Sequence, residues 1–463
     1  MIPNPFSISM LLALATSFAT NQSLPLPAPG LLEGNDSLPK KELYLPAKVW
    51  KVPQGNDYTD NGSEYSFRRM AESENIAVFW TKELGDDPLK HPDVASHFKV
   101  EEALEESERF YKFYVDRLKF VEKGNSVTDK YKVLFYIFGG KDGTAYGGGE
   151  EQKVGILWTP PSRMAKAPYG ALAHELGHAF QYLVHADGAW GFSSAPEGGG
   201  QPIFEMTSQY MLWQVYPEWI TFENYHLASF MQKTHYAFLH ETNQYHSPFV
   251  LEYWSQKHGI EFIGRLWREA LKGEDPVMAY KRLTSTSQRE FNDEIFDAAR
   301  RFITWDMERV EKVSSKYANQ HLSSLKAVGN GWYQIAENKC PQNYGYNGIK
   351  LQVPAAGTKV KLGFKGVPGA KGFRAIETQK AGWRYGFLAV KEDGSRVYGK
   401  VYSSRSGTGS FSVPEKTKYL WLVVSGAPTE HWEHLADGKD ENDEQWPYQV
   451  KLQGTSLDDS VIE

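Results

Sequence analysis

The sequence contains a single cysteine, Cys340, in 463 residues. An intramolecular disulfide framework, a thiolate zinc cluster and an iron–sulfur centre are thereby excluded. It also lacks any basic block longer than a few residues. The 51 Lys plus Arg against 57 Asp plus Glu give a formal net charge of −6, which disfavours nucleic acid as a partner. No run approaches ~18 continuous apolar residues, so no membrane span is expected. No internal repeat is visible. Aromatic side chains, by contrast, are abundant: 14% of the residues, with 14 Trp and 26 Tyr. Such usage suits sheet surfaces and clefts that grip extended or sugar-bearing ligands, and large cores use the same residues. With 41% apolar and 23% charged residues, the chain can build real cores, and its length implies two or three folded units.

The N-terminus points to export. An apolar stretch over residues 8–15 is followed by small residues, with Ser17 and Ala19 placed for signal-peptidase cleavage after residue 19, although a basic n-region is missing. A secreted, periplasmic or extracellular protein is expected. Residues 20–69 read as a linker and N-terminal extension, and Asn21, Asn35 and Asn61 each open an Asn-x-Ser sequon.

Beyond this point the pattern predicts an α+β chain. Strands are expected at 75–80, 131–138 and 154–158, the last stopped by Pro160 and Pro161, with a glycine-rich loop over 143–149. Helical periodicity marks 100–122, 169–184, 203–215, 222–239, 248–257, 260–271 and 288–313. This small sheet with its helices would form one domain over 70–328. From Gly329 the texture changes to short β-prone runs at 349–353, 359–364, 387–390, 419–424 and 448–452. Those predict an antiparallel β-sandwich over 329–455 and a tail over 456–463. The acidic run over 437–444 lacks the EF-hand spacing and reads as a solvated loop.

The chemistry concentrates in ALAHELGHAF, residues 171–180. His174 and His178, four apart, share one face of a helix and can reach one Zn²⁺ at about 2.0–2.1 Å each. Glu175 then stands beside the metal as proton acceptor for its water. A third ligand must come from downstream. A histidine six residues after the second is ruled out, because that position is Val184. Two glutamates remain: Glu197, in the run Pro196-Glu197-Gly198-Gly199-Gly200, and Glu205, just inside a helix that Pro202 can start. A helix holds a ligand more rigidly than a triple-glycine loop, which favours Glu205. Gln209, one turn on, could accept the free N–H of a liganding histidine. The 154–158 strand would be the sheet edge along which a peptide lies extended.

HELGH followed by a later Glu-bearing helix resembles the gluzincin branch of zinc metallopeptidases. HELGHAFQY, WRYGFLAV at 383–390, LWLVVSGAP at 420–428 and DEQWPYQV at 443–450 are similar to an uncharacterised secreted bacterial family of zincin-like proteins with a trailing β-sandwich. The enhancin-like mucin peptidases are a more distant likeness. The resemblance implies a zincin-like catalytic domain with one Zn²⁺ per chain, held by His174, His178 and Glu205, with Glu175 as base. It implies hydrolysis of peptide, protein or glycoprotein substrates, and a Tyr or His from a later helix to steady the oxyanion. Tyr245 and His246 are the candidates for that role. Many gluzincins have Asp where this chain has Gln209. The competing expectation is a non-catalytic zincin-like surface protein whose sandwich binds glycans through some of Trp332, Tyr344, Tyr346, Trp383, Trp421, Trp432 and Trp446.

Overall fold

The computed structural model describes residues 40–192 and 201–463. The export signal over 1–19, the sequons at Asn21 and Asn35, and Glu197 lie outside the described residues. Residues 40–463 form one compact unit.

The first sheet contains β1 (Met70–Glu72), β2 (Ile76–Trp80), β3 (Val133–Ile137), β4 (Tyr146–Glu150) and β5 (Val154–Thr159), in the order β1-β2-β3-β5-β4. The central strands β2, β3 and β5 are parallel, while β1 and β4 run antiparallel along the two edges. IAVFW, VLFYI and VGILWT are buried at every position, as strands covered on both faces must be. Alternate residues Ile76, Val78, Phe135, Ile137 and Leu157 pack on α1 (Val100–Asp116) and α2 (Gly170–Ala186). The other face, with Ala77, Phe79, Leu134, Tyr136 and Ile156, is closed by Leu43, Val49, Val52, Tyr58 and Tyr65. Residues 43–65, which read as an extension in the sequence, are therefore the second cover of the sheet.

The expected edge strand is corrected. β5 lies between β3 and β4, and the edge is β4, built from Tyr146-Gly147-Gly148-Gly149-Glu150. Polyglycine reads as loop because it disfavours regular structure on entropic grounds. Here the missing side chains are what allows the strand. A Cβ at Gly147 would lie 2.1 Å from the Glu175 carbonyl oxygen and 2.7 Å from His178 Cβ, and one at Gly149 would lie 2.1 Å from the Tyr182 ring. The strand is pressed directly onto α2.

The remaining helices are α3 (Gln201–Val215), α4 (Trp219–Phe222), α5 (Asn224–Gln232), α6 (Phe249–His258), α7 (Phe262–Glu269), α8 (Pro276–Thr284), α9 (Gln288–Phe302) and α10 (Glu311–Ser314). α9 opens on a Ser287/Glu290 capping box, a strong start signal. The single helix expected over 288–313 breaks where Trp305 takes a positive φ of 54°.

Nine antiparallel strands follow: β6 (Leu325–Gly329), β7 (Trp332–Ile335), β8 (Tyr346–Leu351), β9 (Lys359–Gly366), β10 (Trp383–Lys391), β11 (Arg396–Tyr398), β12 (Ser406–Ser412), β13 (Thr417–Gly426) and β14 (Tyr448–Gln453). They form two sheets, β11-β10-β13-β8 and β12-β9-β14-β7-β6. Ile349, Phe364, Trp383, Tyr385, Leu422 and Val450 fill the core between them. The opposite face of β10 and β13, with Leu388, Val390, Trp421 and Val423, joins the core of the helical part. The segment read as a tail is tied in: Leu457 and Val461 are buried in the sandwich core. Among the described residues no helix is long and apolar enough to cross a membrane.

Candidate metal centre

α2 is buried nearly all round. Leu172, Leu176, Phe180 and Leu183 enter the main core, and the Tyr114 hydroxyl donates to the Ala173 carbonyl at 2.9 Å. Its remaining face turns to β4 and α3, and here the helical period sets His174 and His178 one above the other. Their Nε2 atoms are 3.1 Å apart, and Glu205 Oε2 from α3 is 3.1 Å from the first and 3.2 Å from the second. The three residues expected as ligands thus meet in one place, each able to offer one atom to a single ion.

The orienting partner is not the expected one. Gln209 Nε2 donates to His226 Nε2 at 3.1 Å and to the Tyr245 carbonyl at 3.0 Å, while its Oε1 is buried without a partner. It contacts neither His174 nor His178, because its amide is taken up by the loop before α6. The partner is Gln181, three residues after His178 on the same helix. Its Oε1 accepts from His178 Nδ1 at 3.0 Å, and its Nε2 donates to the Phe204 carbonyl at 2.8 Å and to Ser208 Oγ at 3.0 Å. That bond fixes the ring so that His178 Nε2 faces Glu205, the usual way an outer group orients a ligating histidine. An amide at i+3 inside HELGHAFQ was the signal available in the sequence.

The electrostatics follow from burial and proximity. Burial lowers the His178 pKa, but the Glu205 carboxylate outweighs it and, with Glu175 and Gln181, raises the imidazole to about 9. Burial works against ionised Glu205, yet His178 and His174 hold its carboxyl well below the usual range. Glu175 is 9% exposed, and burial pushes its carboxyl up against the pull of the two histidines. A carboxyl raised in this way is suited to taking and returning a proton.

Of the two oxyanion candidates, Tyr245 reaches the triad. Its ring lies 6.3 Å from that of His174, centroid to centroid, and burial followed by the Glu205 carboxylate pushes its hydroxyl well up. The side chain keeps 41% of its surface exposed, so it borders open space. His246 turns instead to His226, Nδ1 to Nδ1 at 2.7 Å. Burial pushes His226 down to about 3 and His246 to about 4, so the pair is neutral.

Fold and site together define an α+β protein in which an HExxH helix and a following helix converge two imidazoles and a carboxylate beside a buried glutamate. The chain belongs to the DUF6055 family, a family of unknown function, whose profile matches residues 35–459. No curated protein matches it in sequence. Among solved structures, the M60 catalytic domain with the CBM51-1 and CBM51-2 domains from Clostridium perfringens ZmpB is similar at 10% identity and a TM-score of 0.30, covering 87% of this chain and 60% of that one. The C-terminal family 22 carbohydrate binding module of Clostridium thermocellum Xyn10B is similar at 10% identity and a TM-score of 0.18, covering 30% and 83%. At these scores neither likeness bears on function.

Proposed function

We propose that the protein is a zinc-dependent metallopeptidase, its first part zincin-like, acting on peptide bonds of protein or glycoprotein substrates outside the cytoplasm. The observation that carries this reading is the convergence of His174 Nε2, His178 Nε2 and Glu205 Oε2 at 3.1–3.2 Å from one another. A tetrahedral zinc ion bonded at about 2.0–2.1 Å keeps its donors roughly 3.3 Å apart, so the donor set fits one ion closely. Two imidazoles and one carboxylate also match zinc in chemistry. Bound there, zinc supplies a Lewis acid that polarises a carbonyl and acidifies water.

The chain's own residues do the rest. Glu175, raised by burial, accepts the proton of the attacking water and passes it to the leaving nitrogen. Tyr245 keeps its hydroxyl protonated and donates to the developing oxyanion. The free edge of β4 runs beside α2 and can pair the backbone of an extended peptide. Against the glycan-scaffold reading, Tyr344, Tyr346, Trp383, Trp421 and Trp446 are buried. Trp332 and Trp432 alone of the seven aromatics keep partial exposure.

The test is digestion of a mixed peptide and glycoprotein library by zinc-loaded protein, with and without chelator, read by mass spectrometry. Cleavage should vanish with chelator and fall about 10²–10⁴-fold in Glu175→Gln. Cleavage undiminished in Glu175→Gln would remove the peptidase reading.

A further inference from the structure

A second cluster of imidazoles and carboxylates lies away from α2, where the turn following α5 meets the long connection between β13 and β14. His240 and Glu241 come from the turn, His434 and Asp443 from the connection. His240, His434 and Asp443 are 1%, 8% and 4% exposed, so the end of the acidic run expected to be solvated, Asp443 and Glu444, folds inward. Glu241 Oε2 lies 3.2 Å from both His240 Nδ1 and His434 Nε2.

The neighbours of His240 fix where its hydrogen sits. The Thr242 amide donates to Nδ1 at 3.1 Å, so that nitrogen carries a lone pair, and an ion bound there would replace this bond. Nε2 therefore carries the hydrogen and donates to Asp443 Oδ2 at 3.0 Å, an oxygen that Gln342 Nε2 also reaches at 3.2 Å. A lone-pair nitrogen consequently faces the Glu241 carboxylate across 3.2 Å, an acceptor opposite an acceptor. No Lys or Arg among the described residues pairs with Glu241 or Asp443; their ionic partners are these two histidines. Arg374 gives its Nε to the backbone carbonyl of Asp443 at 2.7 Å. Asp443 is buried and Glu241 half-buried, and a carboxylate removed from water without a permanent cation is costly.

We infer that His240 Nδ1, Glu241 Oε2 and His434 Nε2 hold a second divalent ion of the zinc type. Asp443 fixes the ring of His240 through Nε2–H, the carboxylate–histidine–metal arrangement. Its other oxygen, Oδ1, is 3.7 Å from His434 Nε2. The two separations to Glu241 Oε2, 3.2 Å each, match those among His174, His178 and Glu205, and all three ligand groups belong to the protein. Its role is a staple. It ties the turn of the helical part to a connection also fastened by Gly438 N to Glu241 Oε1 at 3.0 Å, His431 Nε2 to Asp275 Oδ2 at 2.6 Å and Asn292 Nδ2 to the Pro428 carbonyl at 2.8 Å.

Metal content of the full chain, dialysed against zinc and then buffer, is the measurement. Wild type should carry about two zinc ions, and His174→Ala/His178→Ala about one. Glu241→Gln and His434→Gln should each lose about one. Zinc-edge anomalous diffraction from zinc-equilibrated wild-type crystals, which needs no variant, should show a peak enclosed by His240, Glu241 and His434. Loss of all zinc in His174→Ala/His178→Ala, or crystals without that peak, would overturn the second site. Equal zinc in wild type and His174→Ala/His178→Ala, with the peak at His240 retained, would instead remove the metal from the HELGH helix and leave this inference standing.

Discussion

Glu252 and Glu205 are both acidic side chains folded into the helical core, and they are neutralised in opposite ways. Glu252, on α6, is 2% exposed and meets Arg309 as a fork, Nε to Oε1 and Nη2 to Oε2 at 2.8 Å each, with Gln214 Nε2 at 2.6 Å. Glu205 meets two imidazoles and no guanidinium. An arginine fork is complete in itself, because the guanidinium is always charged and matches both carboxylate oxygens. A pair of imidazoles brings no permanent charge, and both aim Nε2 at the same carboxylate oxygen. The contrast separates a carboxylate that serves the fold from one that, on the proposed reading, is placed to take an ion.

Variants that exchange the two modes test the contrast. Glu205→Ala should abolish zinc binding at the HELGH helix and all cleavage with it, by metal analysis and peptide assay. Glu175→Gln should cut cleavage about 10²–10⁴-fold while zinc content and melting temperature stay near wild type. Arg309→Met, which leaves Glu252 buried and unpaired, should cost about 3–5 kcal/mol in denaturant unfolding without altering zinc content. Gly147→Ala forces a Cβ against Glu175 and His178 and should cost about 1–3 kcal/mol, with a parallel fall in activity.

The smallest effect concerns pH. Burial raises the Asp297 carboxyl, but Arg301 and Arg300 outweigh it and hold it below the usual carboxylate range. Its stabilisation is therefore present above the unfolded value of about 3.9 and is lost as pH falls through the lower folded value. Asp297→Asn should melt lower than wild type at neutral pH, and the gap should close only on acidification below about pH 4.

The HELGH pair and Glu205 were legible in the sequence because short-range spacing and a proline-started helix determine them. The periodic helices and the five strongest sandwich strands were legible for the same reason. What was missed depends on distant partners. β4 hid in polyglycine, whose meaning appears only once α2 lies against it. The cover over 43–65 is too rich in polar residues and proline to read as core, yet Val49 and Tyr65 meet the sheet. β11 and β12 are short or glycine- and serine-rich, and take their register from β10 and β9. Gln209 was assigned from one helix face, whereas its amide is captured by the Tyr245 carbonyl, 36 residues away. The second cluster joins Glu241 to His434 across 193 positions, beyond the reach of any motif.

The bare strand against α2 also governs how the cleft could open. With no glycine side chains as spacer, the strand rests directly on the Glu175 carbonyl, His178 Cβ and the Tyr182 ring, so sheet margin and HELGH helix should travel together. Any breathing that admits a bulky substrate then falls to the opposite side, where the exposed ring of Tyr245 borders open space.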